Sequence, residues 1–399
     1  MNGRVTPMAT RSRYVMAANA TVMASTFRRT RVPPGTACAD GTFLLPGSTT
    51  VDGMGHGRIW ACADPRQCEI LFGMPDAKPT VLVTDSVYRK GEACFTASSG
   101  LECRPAPEAE PELAAAIHNA QARYTIVGNR QYTGALYESL PPSGVIARFG
   151  VGHDGIDKVR ATAARLLCTN TPGVLDQSVA EHTMLLVAAA ARNLTPAMAS
   201  MASGTWDSSP GRDLFGKTLA VIGCGGIGRA VARIAALGYG MHVVGCTRPD
   251  APVPAAMDYF QLVTNDFGAA VRDADFVSLH MPAKPDTVRF INRERLAHLA
   301  ERAWLINTAR GAIVDEAALF EALTGGRIAG AALDVFAREP YVPAEGGGDL
   351  RSLSNVILTP HVGSNTVESN RRMADRALQN IRFAQAGQFE RMDLLNPDV

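Results

Sequence analysis

The chain has 399 residues, of which 46% are hydrophobic and 19% charged, a composition typical of globular proteins. Its 39 basic and 38 acidic residues give a formal net charge of +1, so no overall field would attract a nucleic acid or a membrane surface. The longest apolar run, 184–191, is far shorter than the roughly 20 residues that cross a bilayer. We therefore expect neither a nucleic-acid nor a membrane partner.

Eight cysteines are dispersed along the chain without a Cys-x-x-Cys pair. This argues against a disulfide framework or a metal site and favours a reducing compartment, the cytoplasm. Residues 1–35 contain six arginines and no acidic residue, a composition found in organellar transit peptides. A disordered leader or a start codon assigned too far upstream is the simpler explanation. Residues 1–78 are predicted to form an irregular N-terminal extension.

Short apolar runs then alternate with helical patterns. Strands are predicted at 80–84, 124–127, 144–149 and 165–169, with a helix over 108–121 and another before Pro141. Such alternation indicates an α/β fold with a parallel sheet. Residues 79–178 are predicted to form one such domain.

A strongly apolar helix over 178–192 is predicted to join this region to a second one. There, strands are predicted at 219–222, 241–245, 276–279, 303–306 and 356–358, with a helix over 227–237. This pattern indicates a second, doubly wound parallel sheet over residues 179–363. A helix over 364–385 and a short tail form the C-terminal segment, 364–399.

The motif Gly223-x-Gly225-x-x-Gly228 lies between a predicted strand and a predicted helix. In that setting the three glycines allow a tight turn, close approach of a pyrophosphate, and packing of helix on strand. The next strand ends in Thr247-Arg248 instead of the acid that would bind the ribose of NAD. A hydroxyl and a guanidinium suit a 2′-phosphate, so NADP is favoured. NAD remains possible, because Asp250 could still reach a ribose.

With these motifs, the stretch from Val145 to Gly363 resembles the D-isomer-specific 2-hydroxyacid dehydrogenases, in particular those similar to glyoxylate and hydroxypyruvate reductases. Further segments that carry the resemblance are 150–157, 169–174, 179–182, 204–206, 307–311, 333–340 and 358–363. The resemblance implies a Rossmann-type cofactor domain and a discontinuous, flavodoxin-like substrate domain completed by the C-terminal segment. It also implies an active site in the cleft and a homodimer that packs through the cofactor domains.

The resemblance implies a catalytic set made of Arg310, Glu339 and His361. Arg310 would bind the substrate, and His361 would exchange a proton with it, since a neighbouring carboxylate favours protonated imidazole. Backbone amides at Val151 and Gly152 would contact the substrate carboxylate. Besides the three glycines, Thr247 and Arg248, the implied cofactor contacts are Gly226, Ile227, His280, Pro282, Thr308, Ala309, Asp334, His361 and Gly363. Asp334 would accept from the nicotinamide carboxamide.

Several alternatives stay open. Side-chain specificity would come from residues near Tyr88, Arg89, Arg130, Val151 and the C-terminal tail, so the particular 2-oxo acid is not defined. Phosphite or phosphoglycerate dehydrogenases of the same family are possible, whereas formate dehydrogenases carry glutamine where this chain has Glu339. A non-catalytic, dinucleotide-sensing scaffold similar to the C-terminal binding corepressors is the alternative from another class.

Overall fold

The computed structural model describes residues 78–254 and 256–399, and these form two β-sheets flanked by helices. Every pair of neighbouring strands in both sheets is parallel. Parallel strands need long crossover connections, and the helices in those connections cover the faces of the sheet. The α/β fold class is therefore confirmed.

The first sheet has five strands in the order β2-β1-β3-β4-β5, a flavodoxin-like order. The strands are β1 (Thr80–Thr84), β2 (Glu102–Ala106), β3 (Tyr124–Val127), β4 (Val145–Arg148) and β5 (Leu167–Thr169). Their helices are α1 (Asp85–Thr96), α2 (Glu110–Ala120), α3 (Ala135–Ser139) and α4 (Lys158–Ala163). Ile126 and Val127 on β3 belong to different apolar clusters, since successive side chains of a strand point to opposite faces.

The second sheet has seven strands in the order β12-β11-β10-β9-β6-β7-β8. The strands are β6 (Thr218–Ile222), β7 (His242–Cys246), β8 (Leu262–Thr264), β9 (Phe276–Leu279), β10 (Trp304–Asn307), β11 (Gly330–Leu333) and β12 (Val356–Leu358). Their helices are α7 (Gly226–Tyr239), α8 (Phe267–Val271), α9 (Arg293–Leu296) and α10 (Glu316–Thr324). The direction of winding reverses between β6 and β9, and such a reversal opens a ligand crevice at the carboxyl ends of the strands.

Three further helices lie outside this alternation: α5 (Asp176–Ala191), α6 (Leu194–Ala202) and α11 (Val367–Gln385). Helix α11 packs against α1 and β4 of the first sheet. The tail behind it contacts β5, where the amide of Leu395 donates to the carbonyl of Cys168. The Asn396 side chain accepts from the Cys168 amide and donates to the Leu166 carbonyl. The end of the chain therefore returns to the first sheet.

The sequence pattern missed the strands β2, β8 and β11 and the helices α1, α4, α6, α8, α9 and α10. Strands β2 and β8 lie at sheet edges, and the exposed sequence of β2, Glu-Cys-Arg-Pro-Ala, lacks the apolar run of a buried strand. Strand β11, Gly-Ala-Ala-Leu, has no β-branched or aromatic residue that would indicate a strand. Its small side chains are nevertheless buried between its neighbours.

The extension predicted for residues 1–78 lies, apart from Lys78, outside the described residues. Within the described ranges, no helix is both long and apolar enough to cross a bilayer. In the same ranges, no group of His, Cys, Asp and Glu is arranged to hold a metal ion.

Candidate active site

The glycine motif forms the turn between β6 and α7. Gly223 has a φ of +103°, and a Cβ atom there would lie 2.6 Å from the carbonyl oxygen of His280. A Cβ at Gly228 would overlap the carbonyl oxygen of Gly223, whereas one at Gly225 would meet nothing within 4 Å. The first and third glycines are therefore needed for packing, and the second leaves an open approach to the backbone.

The amino end of α7 fits a pyrophosphate. No side chain caps this helix, so the first amides of α7, which include those of Ile227 and Gly228, are available to an anion. The Asp176 carboxylate, at the start of α5, lies against Gly226 on one side of the turn. Burial raises the pKa of Asp176, and the Arg229 side chain opposes this effect.

Thr247 and Arg248 lie beside the glycine turn, because the Gly223 amide donates to the carbonyl of Cys246. The Thr247 amide and hydroxyl both donate to the carbonyl of Thr264. The Arg248 side chain is 71% exposed, and its closest carboxylate is Asp250 at 3.9 Å. The guanidinium is therefore exposed and makes only a distant contact with a carboxylate.

His280 and Pro282 follow β9, the strand beside β6. The His280 amide donates to the carbonyl of Ile222, and its Nε2 atom lies 2.8 Å from the Ser278 hydroxyl. Burial lowers the pKa of His280 to about 3, so its ring is neutral at physiological pH. His280 can therefore line a cofactor site without adding charge.

The loop that presents Arg310 is braced by the last residue of β10, Asn307. Its side chain accepts from the Ala309 amide and donates to the Arg310 carbonyl. The hydroxyl of Thr308, which is buried, lies 2.8 Å from that of Thr183 on α5. This loop is consequently fixed to both its own strand and the helix behind it.

Arg310 reaches from the second sheet to the loop that follows β4 in the first. Its guanidinium occupies the space that a side chain at Gly152 would need, and its Nε atom lies 2.5 Å from the Asp154 carboxylate. In the described residues, no protein acceptor pairs with the amides of Val151 or Gly152. A guanidinium thus lies beside two unpaired amides, an arrangement suited to a small carboxylate.

His361 and Glu339 are in direct contact. The Nδ1 atom of His361 lies 2.7 Å from Oε2 of Glu339, and Oε1 accepts from the Phe336 amide. Burial opposes the ionisation of Glu339, but the hydrogen bond and charge of His361 outweigh it and hold the pKa of Glu339 below its ordinary value. The nearby Arg310 acts in the same direction. Because Glu339 engages Nδ1, Nε2 is left to meet a ligand.

Asp334, directly after β11, fixes the backbone that carries His361. Its carboxylate accepts from the Thr359 hydroxyl and from the amides of Val362 and Gly363. The His182 ring lies 3.4 Å away, and the Asp334 carbonyl accepts from the His361 amide. These bonds hold His361 at a φ of +53°, a left-handed conformation that non-glycine residues rarely adopt.

Sequence reasoning missed four side chains of this region: Arg148, Asp154, Asp176 and His182. Asp154 and His182 lie in segments that carry the family resemblance, so the resemblance could have directed attention to them. Only the fold brings Asp176 to the glycine turn and Arg148 to the end of β4 beside Arg310. Of the residues tied to specificity, Arg130 lies 3.7 Å from Glu108. Among the described residues, no hydrogen bond or ion pair joins Tyr88 or Arg89 to the Arg310 loop.

Comparison with known proteins shows which family the chain belongs to. The family model for the NAD binding domain of D-isomer specific 2-hydroxyacid dehydrogenases matches residues 184–363. A glyoxylate reductase of Thermococcus litoralis is 36% identical over 336 residues, covering 81% of this chain and 98% of that protein. The chain belongs to the D-isomer specific 2-hydroxyacid dehydrogenase family.

Two further relatives add detail. A D-3-phosphoglycerate dehydrogenase of Mycobacterium bovis is 36% identical, but this chain spans only 58% of its length. The crystal structure of the NADPH-dependent glyoxylate/hydroxypyruvate reductase of Sinorhizobium meliloti, with NADP and malonate, has a TM-score of 0.66 and 30% identity; the match covers 77% of this chain and 93% of that one. This protein is an oxidoreductase acting on CH–OH groups with a nicotinamide cofactor.

The anchoring by Asp334 can be tested with Asp334→Asn. Burial opposes the ionisation of Asp334, but its hydrogen-bond donors outweigh it and lower its pKa. In the variant, the side-chain amide nitrogen of Asn would replace a carboxylate oxygen and face a hydrogen-bond donor without an acceptor. We therefore expect a loss of about 1–3 kcal/mol in the free energy of unfolding at pH 7. Because the folded pKa is depressed, this stabilisation is present above the unfolded value of about 3.9 and is lost as pH falls below it.

Urea unfolding followed by circular dichroism at pH 7 and at about pH 3 measures this difference. The matched control is Asp273→Asn, an exposed aspartate of the same sheet region, which should change little. An equal loss for Asp334→Asn at both pH values would contradict the anchoring role of the carboxylate.

Proposed function

We propose that this dehydrogenase works as a 2-oxoacid reductase on a small acid such as glyoxylate or hydroxypyruvate. The observation that carries the proposal is the position of Arg310. It follows β10, crosses to Gly152 and Asp154 on the opposite loop, and lies near Glu339, the partner of His361. A cation, two backbone amides and the pair of His361 and Glu339 are thereby brought close together.

Each of these groups has a role in the proposed reaction. Arg310 and the amides of Val151 and Gly152 hold the carboxylate of the 2-oxo acid, and Arg310 also polarises its carbonyl. A nicotinamide cofactor, when bound, would supply a hydride to C2 of the substrate. Protonated His361 donates the proton from Nε2 to the carbonyl oxygen, while Glu339 holds the ring through Nδ1. In the oxidation direction, neutral His361 accepts that proton.

The other predicted residues are proposed to bind the cofactor. Gly223, Gly225, Gly226, Ile227 and Gly228 surround the pyrophosphate position, and His280 and Pro282 follow the neighbouring strand. Thr308, Ala309 and Gly363 line the approach to the nicotinamide. The Asp334 carboxylate already accepts from the Thr359 hydroxyl and two backbone amides and lies against the His182 ring, so its anchoring of His361 is better supported than a contact with the carboxamide.

The proposed function also includes a division of the chain into two domains. Residues 79–178 and 364–399 would form the substrate domain, and 179–363 the cofactor domain. The packing of α11 on α1 and β4 supports the inclusion of the C-terminal segment in the substrate domain.

The proposed reaction is tested by NADPH and NADH oxidation with glyoxylate and hydroxypyruvate. Arg310→Gln should lower kcat/KM by about 10²–10³-fold, because a charged donor to the developing alkoxide is lost. Cofactor binding, measured by nucleotide fluorescence, should be retained. The control Arg104→Gln removes an exposed arginine of an edge strand and should leave kcat/KM unchanged.

Absence of turnover by the wild type with either acid and either cofactor would favour the non-catalytic scaffold. Near-normal kcat/KM for Arg310→Gln would exclude Arg310 from substrate binding.

We also propose that NADP is the preferred cofactor, with NAD as the weaker one. Thr247 and Arg248 directly follow β7 and lie beside the glycine turn. The 2′-hydroxyl of the adenosine ribose would lie at this position. The exposed guanidinium has only a distant contact with Asp250. A permanent cation there favours a 2′-phosphate over a hydroxyl.

The cofactor proposal is tested with Arg248→Ala. The dissociation constant of NADPH should rise by about 10–100-fold, the usual effect of losing a charged hydrogen bond, whereas that of NADH should change little. Fluorescence titration with each nucleotide gives both constants, and Arg272→Ala, another exposed arginine of this domain, is the control. Equal weakening of both nucleotides would contradict the assignment.

We also propose that the protein is a cytoplasmic homodimer formed through the cofactor domains. Helix α6 has no buried residue, although its sequence is largely apolar. Exposed large apolar side chains continue along this region, among them Leu185, Met198, Met201, Trp206 and Phe215. A cluster of exposed apolar side chains is typical of a protein–protein interface. A second copy of this chain is the partner that the resemblance implies.

The dimer is tested by light scattering after size exclusion. The wild type should have about twice the chain's mass of 42.3 kDa, and Trp206→Glu should lower it towards the mass of one chain. Val159→Glu is the matched control, since Val159 is equally exposed but lies on α4. A wild type with the mass of one chain at micromolar concentration would contradict the proposal.

A further inference from the structure

Asp176 is the first residue of α5, a helix that packs against α7. Its Oδ2 atom occupies the space that a Cβ atom at Gly226 would need. Gly226 is the first residue of α7 and belongs to the glycine turn. A carboxylate therefore lies beside the amino end of α7, which is the position that the proposed function gives to the pyrophosphate of the cofactor.

The protein gives little stabilisation to a negative charge on Asp176. Among the described residues, no hydrogen-bond donor reaches its carboxylate, and Arg229 is the only charged side chain that affects its pKa. Arg229 lowers this pKa, but its own Nη1 atom donates to the carbonyl of Cys224 at 3.0 Å. Burial has the larger effect and raises the pKa of Asp176 above its ordinary value.

The other charged side chains near the start of α5 have neutral partners. Arg233 on α7 donates to the side chain of Gln177. Arg372 on α11 donates to a backbone carbonyl and a hydroxyl beside the start of α5. Glu181, further along α5, accepts from Gln177. None of these groups contributes to the pKa shift of Asp176, so Arg229 alone offsets the effect of burial.

A pyrophosphate at the amino end of α7 would bring negative charge close to this carboxylate. Like charges repel, and the repulsion is strong where the groups are partly removed from water. A proton on the carboxyl group removes the repulsion and turns an acceptor into an O–H donor, which a phosphate oxygen can accept. Because burial already disfavours the charged form of Asp176, adding this proton requires less free energy than it would at an ordinary aspartate.

We propose that Asp176 takes up a proton from solvent when the dinucleotide binds and donates it in a hydrogen bond to the pyrophosphate. This inference rests on the proposed function, because it places the dinucleotide at the amino end of α7. In the free protein, Asp176 is ionised at pH values above its own pKa, so binding then has to draw a proton from solvent. The affinity for the dinucleotide therefore falls as pH rises, until the pH exceeds the pKa that the carboxyl group has in the complex.

The proposal is tested with Asp176→Asn, which cannot ionise but keeps a donor. Fluorescence titration gives the dissociation constant of NADPH for wild type and variant at about pH 5.5 and about pH 8.5, with EDTA present to remove metal ions. The two constants should be similar at the lower pH. At the higher pH the variant should bind about 10-fold more tightly, because one repulsion between like charges is lost. Titration of the 2′-phosphate affects both proteins alike and cancels in their ratio.

Three further measurements isolate the carboxyl group. Asp273→Asn, which changes an exposed aspartate, should follow the wild type at both pH values. Displacement of NADPH by ADP-ribose should give the same ratio of constants, since ADP-ribose has the pyrophosphate but no nicotinamide that could reach His361. Calorimetry of NADPH binding at pH 7, in buffers of different ionisation enthalpy, counts the protons taken up. The wild type should take up more than Asp176→Asn, by at most about one proton.

The outcomes separate this inference from the proposed function. A ratio of constants that does not change with pH, or equal proton uptake by wild type and Asp176→Asn, would mean that the carboxylate turns away from the pyrophosphate or lies too far from it, and would overturn the inference. Weaker binding by Asp176→Asn at the higher pH would also overturn it. Each of these results leaves the reductase assignment intact, whereas a wild type that binds no dinucleotide would overturn the proposed function itself.

Discussion

The buried carboxylate of Asp334 positions the backbone segment that carries His361. At 1% exposure it cannot be hydrated, so it must be satisfied by donors from the protein. The chain supplies them by folding 359–363 around it, with two backbone amides and the Thr359 hydroxyl pointing inward. This requirement explains why His361 accepts a rare left-handed backbone, and why its ring comes to lie against Glu339.

A second constraint joins the two sheets. Arg310 can cross to the loop after β4 only because residue 152 has no side chain, and Asp154 then neutralises its charge on the far side. Arg148 reaches the same turn from the first sheet, and Asp154 offsets part of its charge as well.

Much of the fold could be predicted from the sequence, because the buried strands of parallel sheets are short apolar runs between helical patterns. Strands β3, β6 and β9 are of this kind. Edge strands β2 and β8 are partly exposed, and β11 is built from alanine and glycine, so their sequences lack that signal. For the site, the resemblance predicted Arg310, Glu339 and His361, each within a recognisable segment. It did not indicate Arg148 or Asp176, since a linear sequence does not show that they lie beside the site.

The sequence by itself determined the fold class, the glycine turn after β6 and the order of the motifs, because these depend on local periodicity and on residues that lie close together in the chain. The tertiary structure alone decided which groups meet across the cleft. Arg310 and Asp154 are 156 residues apart, and Asp334 and Gly363 are 29 apart. The first contact depends on the packing of the two sheets, and the second on the pairing of β11 with β12 within one sheet. No local pattern encodes either arrangement.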